Sequence, residues 1–321
     1  MYTREFFGIA VENARRRISI FDTNTFEVLQ QIPLDADVID VAITKNCSRA
    51  FVSSFNTKTM FQIDLCTVPA RVLGSAVSPT FLEDVAVTPD GRFALSVDGS
   101  ASDQDIVSYS ARLNAFVSTL PTSAQAVAIS PECRDLVLTA QYFNNSVHRF
   151  VINPNGLLED SGQSFPAGTN PINIIFSPNG EFAFVANSDG SNSTISVLST
   201  LIPDQVTLLG STPSSNGPQS MAISRDGRHL FVLAASNVDI FAFDPVAGSL
   251  TLERSFAHGL SITSYYGVDQ IALDACQTRL FISGLGRVAV FTTYGLPLGN
   301  VVGAEGPGGI AICPMLNERV L

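Results

Sequence analysis

The apolar residues of this chain fall in short bursts separated by Pro, Asn, Asp, Gly and Ser, and one kind of burst keeps returning. Its form is apolar-Ala-apolar followed by a turn-forming residue. The copies are Val41-Ala42-Ile43-Thr44, Val85-Ala86-Val87-Thr88, Val127-Ala128-Ile129-Ser130, Ile174-Ile175-Phe176-Ser177, Met221-Ala222-Ile223-Ser224, Ile271-Ala272-Leu273-Asp274 and Ile310-Ala311-Ile312-Cys313. Their second residues are 44, 42, 47, 47, 50 and 39 positions apart. Each burst is too short for a helix and rich in β-branched residues, so each predicts a strand.

The residues after each burst repeat as well. A turn such as Pro89-Asp90-Gly91 or Arg225-Asp226-Gly227 comes first, with Gly supplying the positive φ that a tight turn needs. A second apolar strand comes next (Ala50-Phe51-Val52, Phe93-Ala94-Leu95, Leu230-Phe231-Val232), then a polar loop and a third (Met60-Phe61-Gln62-Ile63, Asp239-Ile240-Phe241-Ala242-Phe243). A weaker fourth closes the unit, as in Arg71-Val72-Leu73 or Gln205-Val206-Thr207-Leu208. Four short antiparallel strands in ~40–45 residues are the pattern of a propeller blade. Along the first strand Val41 and Ile43 share one face and Ala42 takes the other, so large residues of one blade can meet small ones of the next.

The ends supply the seventh blade. Residues 6–11, 17–22 and 27–32 read as second, third and fourth strands without a first, and Gly309-Ile310-Ala311-Ile312 reads as a first strand with little after it. Pairing them removes an open sheet edge. The expectation is an all-β, seven-bladed β-propeller of four-stranded antiparallel blades, closed by the C-terminal inner strand pairing with N-terminal strands. It forms one domain over residues 1–321. Arg319-Val320-Leu321 is surplus to that scheme and is expected to fray or tuck against the rim.

Composition narrows the chemistry. The hydrophobic fraction is 45% and the charged fraction 15%, which suits a large core. No apolar run reaches the ~18 residues of a membrane span. A net charge of −11 opposes phosphate backbones, so no nucleic-acid partner, no membrane and a monomer are expected. The cysteines Cys47, Cys66, Cys133, Cys276 and Cys313 match no metal spacing, and they are read as free thiols at tolerant positions, three of them in the same turn of different repeats. The N-terminus lacks a signal-peptide pattern, which predicts the cytoplasm if Met1 is native and export with a leader removed otherwise.

Two residues before the recurring Ala stand Asp40, Asp84, Ala126, Asn173, Ser220, Gln270 and Gly309, expected to ring one mouth of the channel. Asp40, Asp84, Asn173, Ser220 and Gln270 form the candidate ligand site, suited to a small polar or cationic ligand. The competing reading is that they satisfy strand-end amides and channel waters. The oxygen-rich stretches Asp98–Asp105 and Asn187–Ser191 lack calcium-loop spacing and read as connecting loops. Arg15-Arg16-Arg17 reads as a solvated hairpin tip, and His148, His229 and His258 lack metal-binding spacing. No cofactor, metal or catalytic set is expected.

The segment Ser177-Pro178-Asn179-Gly180, then Phe184-Val185-Ala186-Asn187 and Thr194-Ile195-Ser196-Val197, resembles the YVTN family of propeller repeats, and Ile18-Ser19-Ile20-Phe21-Asp22 matches its third strand. There is no Trp, so the WD40 signature is absent. The blades also resemble those of propeller lactonases, whose His, Arg and Glu residues converge at the channel. At the matching positions this chain has Gln125, Ile172, Asn173, Ser188 and Ala235. The resemblance therefore implies a binding or scaffold propeller, holding a small polar ligand or a protein at a rim. The alternative is a divergent lactonase-like or lyase enzyme with relocated groups such as Asp40, Asp84 and Gln270.

Overall fold

The computed structural model describes residues 6–99, 104–132, 135–262, 268–306 and 308–313. Seven four-stranded antiparallel sheets form a seven-bladed β-propeller. Blades 1 to 6 follow the chain, their inner strands being Val38–Ile43, Val85–Val87, Ala124–Ile129, Pro171–Phe176, Ser220–Ile223 and Ile271–Leu273. Blade 7 joins the termini: Ile310–Ile312 pairs with Phe7–Glu12 in the register Gly8↔Ile312, Ile9↔Ala311 and Ala10↔Ile310, and Arg17–Asp22 and Val28–Pro33 complete the sheet. The sequence-based closure is thus the observed one. Arg319–Leu321 and Cys133 lie outside the described residues, as do positions 100–103 of the Asp98–Asp105 loop.

The turn-forming residue that ends each burst organises the hairpin below it. Thr88, Ser177 and Ser224 each donate a hydroxyl hydrogen bond to the Asx residue two positions on (2.7, 2.7 and 2.6 Å). Each also accepts the amide N–H that starts the second strand (3.1, 3.0 and 2.9 Å). The side chain replaces a backbone partner, and Gly91, Gly180 and Gly227 then turn the chain with φ of 68°, 68° and 70°.

The core is divided among the gaps between blades. Val41 and Ile43 pack with Ile9, Ile18 and Val52 on the blade 7 side. Ala42 faces Phe51, Met60 and Tyr109 on the blade 2 side. This is the large-against-small arrangement that the alternation predicts, and it lets the inner strands converge on a narrow axis.

Two expectations are corrected. Cys47 and Cys313 form a disulfide with a Cα–Cα distance of 5.5 Å, so they are not free thiols. Ring closure brings the end of the last inner strand beside the first turn of blade 1, uniting residues 266 apart in sequence. Cys66 and Cys276 are exposed and outside this bond. The Arg15–Arg17 cluster is not simply a solvated tip either. Arg17 pairs with the fully buried Glu12 at 2.7 Å, and Arg15 pairs with Glu305 at 2.8 Å, because the hairpin folds back against the 300–306 segment.

Candidate functional site at the channel plug

The inner strands deliver their opening residues to one end of the central channel. All five candidate residues are there and all are buried: Asp40 and Gln270 at 0%, Ser220 at 0%, Asn173 at 1% and Asp84 at 3% exposure. They do not form an open ring. Asp40 Oδ2 accepts the Val85 amide N–H of the next blade (3.0 Å), and Asp84 Oδ2 accepts that of Val127 in the blade after (2.7 Å). Ser220 Oγ likewise accepts the Gln270 N–H (3.0 Å). Three of these side chains therefore staple one blade to its neighbour by capping strand-end amides.

Asn173 does something different. Its Nδ2 donates across the channel from blade 4 to Asp269 Oδ1 of blade 6 (3.3 Å). Asp269 is half-buried and was not among the sequence candidates. The repeat register puts Gln270 at the ring position, but the blade 6 strand begins only at Ile271, which leaves Asp269 ahead of it with its side chain in the channel. A carboxylate one residue before an aligned polar position was the available signal.

Electrostatically the plug is a carboxyl cluster. Burial raises Asp40 and Asp84 well above the ordinary carboxylate range, and repulsion from Asp269 adds to both. Burial pushes Asp269 up to about 6, with the Asn173 amide opposing. The neighbouring Asp40 carboxylate raises Asp84 further. Beside them, burial and then the neighbouring Asp98 push Glu83 up to about 7, although the Gly99 N–H donates to its Oε2 (3.1 Å). Among the described residues no group of three or more His, Cys, Asp or Glu is disposed to hold a metal ion.

Below the plug the channel opens into a cavity of about 430 Å³. Its walls are the aliphatic faces of the inner strands of blades 1, 5, 6 and 7, Asp269 stands at the plug end, and Arg225, Asp274 and Gln277 stand at the turn end. Apart from Asn173, the lactonase-matched positions make contacts within the fold. Gln125 donates to Gly99 O (2.8 Å), Ile172 lies in the core between blades 4 and 5, and the Ser188 and Ala235 amides bond to Asn170 O and Asn216 O.

This is a seven-bladed propeller with a lactonase-like fold. A solved structure from Desulfotomaculum acetoxidans, described as a functionally unknown protein, is 42% identical over 96% of this chain and 99% of its own, with a TM-score of 0.92. The chain belongs to the family of that protein. More distant folds are the periplasmic gluconolactonase of Pseudomonas aeruginosa (13% identity, 95% of this chain and 98% of that one, TM-score 0.74) and the Cps50 β-propeller domain of Myceliophteria thermophila (13%, 89% and 93%, 0.70). At such identities the likeness concerns fold alone. No protein-family model matches the sequence, and no curated protein does.

Proposed function

We propose that this protein is a non-enzymatic binding propeller that takes a small organic cation, such as a short alkylammonium, into the channel cavity. The observation that carries the reading is Asp269, a half-buried carboxylate at the plug end of a cavity whose strand walls are aliphatic, with Asp40 and Asp84 behind it and the one lining cation, Arg225, in the turn that follows the blade 5 inner strand, beyond those walls. A cation there meets negative charge in low-dielectric surroundings, where the attraction is far stronger than in water. Short methylene groups suit the walls formed by Val41, Ala42 and Ile271. The blades are read as YVTN-type repeats on the strength of the blade 4 motif. An oxidising compartment is the matching cellular setting, and the Cys47–Cys313 bond supports it.

Titration calorimetry with methylammonium, butylammonium and putrescine tests the reading. Saturable binding that Asp269→Asn weakens at least tenfold is expected. Absence of binding by all three overturns it, as does lactone turnover that disappears in Asp84→Ala.

A further inference from the structure

A second concavity lies on the face opposite the plug, where the turns of blades 1, 2 and 3 enclose a groove of about 780 Å³. Three arginines from separate segments line it. Arg49 starts the second strand of blade 1, Arg92 sits in the first turn of blade 2, and Arg112 sits in the last turn of the same blade. The only carboxylate among the described lining residues is Asp90, which is already engaged: its Oδ1 accepts from Thr88 Oγ1 (2.7 Å) and from the Arg92 N–H (3.1 Å).

Arg49 and Arg92 are held in place without being used up, although Arg92 Nη1 also lies 3.8 Å from Asp90 Oδ2. Arg92 Nη2 donates to Pro154 O of blade 3 (2.6 Å), and its guanidinium lies 5.2 Å from the Phe93 ring centre. With the Gln62 amide turned so that both its atoms find partners, Arg49 Nη1 donates to its oxygen (3.1 Å) and its nitrogen donates to Ala111 O (3.0 Å). A guanidinium has five N–H donors, so these bonds leave donors for another acceptor.

A chain of net charge −11 that gathers three guanidinium groups around one hollow bears a repulsion that the fold does not require. The groove between blades 5 and 6 makes the contrast. It is of similar size, about 690 Å³, yet its lining balances Arg225 and Arg254 with Asp226 and Glu253, whereas the groove of blades 1 to 3 sets one aspartate, Asp90, against three arginines. The same blade-to-blade geometry can therefore be built neutral.

We propose that the groove of blades 1 to 3 binds a small multivalent anion, one bearing a phosphate or clustered carboxylates, through Arg49, Arg92 and Arg112. Guanidinium groups meet both anion types with paired, charge-assisted hydrogen bonds. The exposed Leu113 offers an apolar contact for the rest of such a ligand.

The test is titration calorimetry on the full chain at fixed ionic strength, with pyrophosphate and citrate as probes. Arg92 and Arg112 are exposed, so the double variant Arg92→Gln/Arg112→Gln should keep its fold, which a melting curve checks. Saturable binding of at least one probe is expected, at least tenfold weaker in that variant. It should be unchanged in Arg225→Gln/Arg254→Gln and in Asp269→Asn. Preference for pyrophosphate would assign a phosphate ligand, and preference for citrate a carboxylate one. No saturable binding of either probe overturns the proposal, and so does equal affinity across all the variants.

Discussion

Removing the Cys47–Cys313 bond should cost several kcal/mol, because it closes a loop that contains most of the chain. The two residues are 266 apart in sequence. For a loop of that length the chain-entropy relation gives about 5–6 kcal/mol of constraint on the unfolded state. With an unfolding entropy of roughly 2.1 cal/mol/K per residue, a chain of 321 residues should lose about 8 °C in Tm. Cys313 is fully buried and Cys47 is 8% exposed, so substitution isolates the effect better than added reductant. Cys313→Ala should show the full drop. Cys47→Gly should lose about 1 kcal/mol less. The reason is that Cys47 holds a left-handed φ of 53° at the turn position filled by Gly91, Gly180 and Gly227 in other blades. Calorimetric melts under non-reducing conditions, with peptide mapping to verify the bond, measure both. A Cys313→Ala variant melting within about 2 °C of an oxidised wild type refutes the loop argument. A larger loss for Cys47→Gly than for Cys313→Ala refutes the argument from turn strain.

Asp269 has a folded pKa of about 6 against 3.8 ordinarily, so the folded state holds this proton more tightly; the associated stability is complete below about pH 4 and is lost as pH rises through 6. Asp269→Asn should therefore flatten Tm against pH across that window, by at most roughly 3 kcal/mol, and an unchanged slope in circular-dichroism melts contradicts the assignment. Gly309→Ala would drive a methyl group into the Asp40 carboxylate and to 2.9 Å from Asp40 Cα, at the contact where blade 7 meets blade 1. It should cost about 2 kcal/mol, measured by urea denaturation, and a neutral substitution would mean that the plug can relax.

The architecture was legible because its signals are local and repeated. The seven apolar-Ala bursts coincide with the inner strands to within a few residues, and the unmatched strands at the two ends were enough to predict their pairing. The disulfide is not legible in the sequence because Cys47 stands in the same turn of the repeat as Cys133 and Cys276. Its true partner, Cys313, is adjacent only once the ring closes. The five candidate residues lie together at the start of the inner strands, where Asp40, Asp84 and Ser220 cap strand-end amides, as the competing reading has it. Polarity at the start of a strand does not reveal whether a side chain faces an opening or the amide of the next blade. Asp269 escaped for a related reason, since one residue of difference in where a strand begins decides which side chain enters the channel. The groove arginines occupy three different places in the repeat, so no periodic signal links them.

The plug also bears on where a propeller of this kind can keep its ligand chemistry. Inner strands converge, and the N–H groups at their ends are buried by that convergence. Each needs an acceptor, which Asp40, Asp84 and Ser220 supply to their neighbours. A side chain so committed cannot also turn to a ligand without leaving a buried amide unpaired, at a cost of about 1–3 kcal/mol. Recognition then falls to groups outside the stapling pattern. Asp269 is one, set ahead of its strand and only half-buried. The others are the turn arginines, placed where wedge-shaped blades diverge and leave space between them. The ring that holds the blades together and the groups that meet a ligand are, on this reading, different residues, and substitutions at each should separate stability from binding.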